Sequence, residues 1–96
     1  MRKTEYQLEI INRLRNKRND MNLSQKKIGD ILGLSDGQVG NIESLNFAHK
    51  YTLKQIYELC KVFNYPIEQL FLTTEDLAEG KEIINQLIER IIEYGE

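Results

Sequence analysis

Four helix-start signals within the first 55 residues constrain this chain more than any other feature. Thr4 with Gln7, Ser35 with Gln38 and Thr52 with Gln55 are capping boxes. In each, a hydroxyl accepts from the backbone amide three residues on, and the glutamine side chain reaches back to the cap amide. Ser24 is a further N-cap residue. Starts this close together leave room for short helices only. Ile10, Ile11 and Leu14 follow the first at helical spacing, predicting a helix from about Glu5 to Arg18. The second spans Gln25 to Leu32 with Ile28 and Leu32 inward, and the third runs from Asp36 to about Ser44 with Val39 and Ile42 inward. Leu53, Ile56, Leu59, Cys60 and Phe63 line a fourth, and Pro66 opens a short fifth with Ile67, Leu70 and Phe71. Asn22, Gly33 and Asn64 are the stops, as residues that tolerate a left-handed backbone. No strand alternation or internal repeat appears, so the fold class is all-α.

With 96 residues, 41% of them hydrophobic, the chain supports one small domain. Its one cysteine, Cys60, excludes an internal disulfide and multi-cysteine zinc sites, and its place on the inner face of helix 4 predicts an inert core residue. His49 has no carboxylate or cysteine at ligand spacing, so no metal and no cofactor is expected. Paired carboxylates, a nucleophile with its base and a glycine-rich phosphate loop are all missing from the sequence, which argues against an enzyme. No apolar run is long enough for a membrane span and no secretory signal stands out, so a cytoplasmic protein is expected. Charge divides along the chain. Up to residue 65 there are 11 Lys/Arg against 7 Asp/Glu, and beyond it 2 against 8. A basic body with an acidic tail suits a polyanion-binding module whose tail faces elsewhere.

Helices 2 and 3, with the Gly-Leu-Ser turn between them, have the spacing of a helix-turn-helix, in which the second helix enters a DNA major groove. "LSQKKIGDILGLSDGQVGNIE", Leu23 to Glu43, resembles the phage-repressor and Cro-type family, the xenobiotic-response-element (XRE) family of bacterial regulators. "LRNKR" upstream and "YTLKQIYELCKVFNYPIEQLF" downstream match its first, fourth and fifth helices. The resemblance covers roughly residues 8–72. It implies a five-helix, lambda-repressor-like DNA-binding domain, placed at residues 1–73, and double-stranded DNA as partner.

Helix geometry and the family match together single out the contact residues. Asp36, Gly37, Gln38 and Asn41 occupy the exposed turns of the recognition helix, about residues 36–44. Gln and Asn can pair bidentately with adenine, and Asp can accept from cytosine N4. Gln25 is implied to reach phosphate, as its family counterpart does. Lys26, Lys27 and Lys50, with Asn46, His49 and Tyr51 in the loop, are expected to hold the backbone. Arg18 and Glu43 match a family salt bridge joining helices 1 and 3; a phosphate contact by Arg18 is the alternative. The chain departs from the family at Asp36, which brings a carboxylate toward a polyanion, and at Gly37 and Gly40, which weaken the recognition helix. Gly29 stands where Ala is usual, and the loop after Glu43 is two residues longer than is common.

Residues 74–96 lie outside the resemblance and predict a C-terminal amphipathic helix. Leu77, Ile84 and Ile91 recur every seven residues, as do Gly80, Leu87 and Tyr94. Because the five-helix core looks complete before Leu72, this segment is expected to dimerise through Ile84, Leu87, Ile88 and Ile91. Packing onto its own domain is the alternative. The function expected is a sequence-specific transcriptional regulator, a homodimer on a palindromic operator. The rival is an antitoxin or adaptor that binds a protein partner through the last helix.

Overall fold

The computed structural model of the chain describes residues 2–80 and 82–96. Among them are seven helices and no strand: α1 (Glu5–Asp20), α2 (Gln25–Leu32), α3 (Asp36–Glu43), α4 (Leu53–Phe63), α5 (Ile67–Phe71), α6 (Thr74–Ala78) and α7 (Ile83–Gly95). No helix among the described residues is long and apolar enough to cross a membrane. The boxes at Thr4, Ser35 and Thr52 are each closed in both directions, and Ser24 caps α2 by accepting from the Lys27 amide at 3.0 Å. Asn22 and Asn64 take positive φ, 57° and 51°, where the first and fourth helices turn away. Ile10, Ile11 and Leu14 of α1 meet Ile28, Val39 and Ile42 of the helix-turn-helix on one side. Ile56, Leu59 and Phe63 of α4 and Leu70 and Phe71 of α5 belong to the same core.

Three expectations change. Leu53, the first residue of α4, is 44% exposed rather than inward, and the buried face begins one turn later at Ile56. Tyr51 does not stay in the surface loop. It is buried, with its carbonyl taking the Tyr94 hydroxyl at 2.8 Å. The C-terminal segment is two helices, not one. Thr73 and Asp76 form a capping box that starts α6, and Gly80 at φ +74° breaks the seven-residue seam. The expected start of the last helix, Lys81, lies outside the described residues.

The core is also not complete before Leu72. α7 packs along α1 and α5, and Tyr94 enters the core at 4% exposure. Its ring meets Phe71 edge-on at 6.1 Å, and its carbonyl accepts from Gln7 Nε2 at 2.9 Å. Leu87 and Ile91 pack half-buried against the same core, whereas Ile84 and Ile88 remain 57% and 49% exposed.

The corner between α6 and α7 is polar. Arg90 Nη2 donates to Asp76 Oδ1 at 2.8 Å, and Gln86 Nε2 to the Asp76 carbonyl at 2.6 Å. The Arg90 hydrogen bond, with that of the Thr73 amide, holds the Asp76 carboxyl below the usual carboxylate range. A depressed native value makes this stabilisation complete above the unfolded pKa of about 3.9, and it is lost as pH falls through the native one. Acid below about pH 4 should therefore loosen this corner first, seen as a loss of amide protection relative to the intrinsic exchange rate over residues 73–80 and 82–90. Asp76→Asn should remove that acid dependence; an unchanged acid profile in the variant would contradict it.

Candidate nucleic-acid interface

Among the described residues, α2 and α3 form the most extensively packed helix pair. Gly33, left-handed at φ +74°, ends α2, and the Leu34 amide turns back to the Gly29 carbonyl at 2.8 Å. Gly29 is where the two elements touch. A Cβ there would lie 2.4 Å from the Leu34 carbonyl oxygen, a backbone atom that cannot swing aside. Gly29→Ala would gain about 1 kcal/mol of helix propensity. Overpacking costs roughly 1–3 kcal/mol and should prevail. We expect a melting temperature lower by several degrees; a rise would mean that the turn relaxes freely.

An ionic network ties α3 to α1. Arg18 donates twice to Glu43, Nε to Oε2 at 2.9 Å and Nη2 to Oε1 at 2.8 Å, with side chains only 11% and 5% exposed. Its third donor, Nη1, reaches the Leu23 carbonyl at 2.8 Å. Gln25, half-buried at the start of α2, donates to Glu43 Oε1 at 3.0 Å. Arg15 Nε stands 3.9 Å from the same oxygen with its side chain half exposed. Arg15 was missed in the sequence reading. Its signal was the three-residue step to Arg18, which puts both guanidinium groups on one face of α1.

Arg15, Gln25 and Glu43 line a cleft of about 420 Å³ with Gly40, Ser44, Leu45 and Asn46. Beside it, Asp36, Gly37 and Gln38 stand exposed on the first turn of α3, with Asn41 half-buried on the next. Asp36 Oδ1 accepts from the Gly37 amide at 3.0 Å, so the carboxylate is partly engaged with its own helix start. Gln38 Oε1 accepts from the Ser35 amide at 2.8 Å. One Oε1 lone pair and both Nε2 hydrogens remain for a base, so the capping box restricts how a bidentate adenine contact can align, whereas donation through Nε2 alone is unrestricted by it.

Lys26 and Lys27 are exposed on the first turn of α2, and Asn46 is exposed in the loop. Lys50 behaves differently. Its ammonium donates to the Tyr94 carbonyl at 3.1 Å and lies 5.3 Å from the centre of that ring. His49, also exposed, meets the Phe47 ring at 5.9 Å. Cys60 takes no part. Burial, with a smaller contribution from Glu68, pushes its thiol up to about 11, so it is protonated and unreactive at neutral pH.

Carboxylates gather elsewhere. Glu5, Glu9, Glu75, Asp76, Glu79 and Glu93 line a separate cleft of about 390 Å³ between α1, α6 and α7. The acidic tail thus contributes nothing to the lining of the cleft beside α3.

Comparison with known proteins adds one finding. The profile of the helix-turn-helix family matches residues 14–70, more than half of the chain. No curated protein and no solved structure matches it significantly. The matched span starts within α1, contains the crossed pair α2 and α3, and ends in α5. The chain belongs to the helix-turn-helix family of Cro/C1 (XRE) type, a family of DNA-binding regulators.

Proposed function

We propose that the protein is a sequence-specific transcriptional regulator that lays α3 in the major groove and binds a two-fold symmetric operator as a homodimer. The observation that carries this reading is the exposed first turn of α3 within a matched helix-turn-helix domain. Base readout falls to Gln38 and Asn41, with Asp36 a specificity residue only if its carboxylate takes a cytosine N4 hydrogen bond. Phosphate contacts fall to Lys26, Lys27, Arg15 and Asn46. Gln25 and Lys50 join them by exchanging their present intramolecular partners. Gly37 would let the backbone come close to the groove, since a Cβ there would meet no neighbour nearer than the Ser35 hydroxyl at 3.8 Å.

The dimer contact is the outward face of α7. Ile84, Ile88 and Ile92 stand four residues apart on it, each about half exposed, with Ile83 beside them and Leu77 on α6. Leu87 and Ile91 serve the same contact from its edge while holding α7 to the body. An aliphatic row of this kind on a small domain marks an interaction surface.

Two measurements test the reading. Binding to duplex DNA should weaken linearly in log salt, with a slope near −7 for about eight neutralised phosphates, four cations in each protomer. Lys27→Ala, acting in both protomers, should flatten that slope by about 2. In sedimentation the wild type should be dimeric and Ile88→Glu monomeric with weaker operator binding, since two half-sites are no longer coupled. A monomer that binds no duplex at low salt would contradict the proposal and favour the antitoxin or adaptor reading, with the same isoleucine face on a protein partner.

A further inference from the structure

Lys3 sits just before the Thr4 cap of α1, yet it is only 7% exposed. Its ammonium donates to the Phe47 carbonyl at 2.6 Å, the Ser44 carbonyl at 2.7 Å and the Asn41 carbonyl at 3.4 Å. These oxygens belong to the end of α3 and the loop behind it. The last carbonyls of a helix lack intrahelical donors, and they carry the negative end of its dipole. α3 has no basic residue in its last turn and ends instead on the Glu43 carboxylate. A cation supplied from some 40 residues away does what the local sequence does not.

We propose that Lys3 is the positioning residue of the DNA-contacting surface. It fixes the end of the recognition helix and the Ser44–Phe47 turn that carries Asn46, without itself touching DNA. The inference rests on the DNA-binding reading above. An ammonium has three donors, and here three carbonyls take them, so none is left for a phosphate. Burial lowers the lysine pKa, and the ring of carbonyl oxygens favours the charged form. The placement of Lys3 says that its charge is used inside the protein.

The test uses the full chain and the duplex that the wild type enriches from a random pool. Lys3→Met keeps the stem and removes the charge. It should bind that duplex about tenfold more weakly, the loss expected from one charge-assisted contact. The salt slope should not change, and amides 44–48 of the free protein should exchange faster while those of α1 and α4 do not. If Lys3→Met does not fold, Lys3→Gln, which retains amide donors, gives a milder form of the same comparison. Undiminished binding overturns the proposal. So does a slope flatter by about 2, which would mean direct phosphate contact in each protomer. Faster exchange throughout the domain also overturns it, since that would show general destabilisation. A wild type that enriches no duplex overturns the DNA-binding reading instead, and this assignment with it.

Discussion

Tyr94→Ala should destabilise the fold by about 3–5 kcal/mol, the range for emptying a large aromatic site in a core. For a domain of this size that corresponds to a fall in melting temperature of roughly 15 °C or more. The ring fills space against Phe71, and its hydroxyl satisfies the carbonyl of buried Tyr51. Tyr94→Phe should cost less, about 1–2 kcal/mol, because it removes only the hydroxyl and leaves that carbonyl without its donor. Deleting residues 83–96 should be more damaging than either, since Leu87 and Ile91 leave with the tyrosine. Thermal denaturation separates the accounts. A truncated chain that melts with the full-length protein would make α7 an appendage rather than part of the core.

Arg18→Ala comes next in size. Glu43 would keep its place, 5% exposed, with only the Gln25 amide and the more distant Arg15 for company. Breaking a buried pair from one side typically costs about 3–5 kcal/mol, most of it from the charge left behind. Replacing both residues with Met should therefore be milder than Arg18→Ala alone. A double-mutant cycle on stability should show coupling above about 1 kcal/mol. If Arg18→Ala leaves the melting temperature unchanged but abolishes DNA binding, the guanidinium serves phosphate and the pair is incidental.

What the sequence makes legible here is what a few neighbouring residues decide. A Ser/Thr-x-x-Gln box is closed by atoms three residues apart, so the starts of α1, α3 and α4 can be read directly. Asn22, Gly33 and Asn64 end their helices for equally local reasons. Even the engagement of Gln38 Oε1 follows from its own capping box. Long-range partners leave no such pattern. Gln7 meets the Tyr94 carbonyl across 87 positions, and Lys3 meets the Phe47 carbonyl across 44. Neither pairing has a periodicity to betray it.

The same limit applies within the site. Lys26 and Lys27 are exposed as their helix positions suggest, but Lys50 lies on Tyr94 and Gln25 on Glu43, each through a tertiary contact. α7 is the least legible segment. One wide apolar face can serve a partner chain or its own body, and periodicity cannot divide it. The structure gives Tyr94, Leu87 and Ile91 to the body and leaves Ile84, Ile88 and Ile92 outside.

The central claim is that α3 reads bases, and selection from a random duplex pool at fixed, moderate salt tests it most directly. The wild type should enrich a two-fold symmetric site with half-sites about one helical turn apart. Asn41→Ala should still bind DNA but lose preference at one base pair of each half-site, a change of about 1–3 kcal/mol in discrimination there. Gln38→Ala should do the same at a different pair, and Lys27→Ala should weaken all sequences alike. A wild type that enriches nothing, or variants of Asn41 and Gln38 that select the same site as the wild type, would contradict the account.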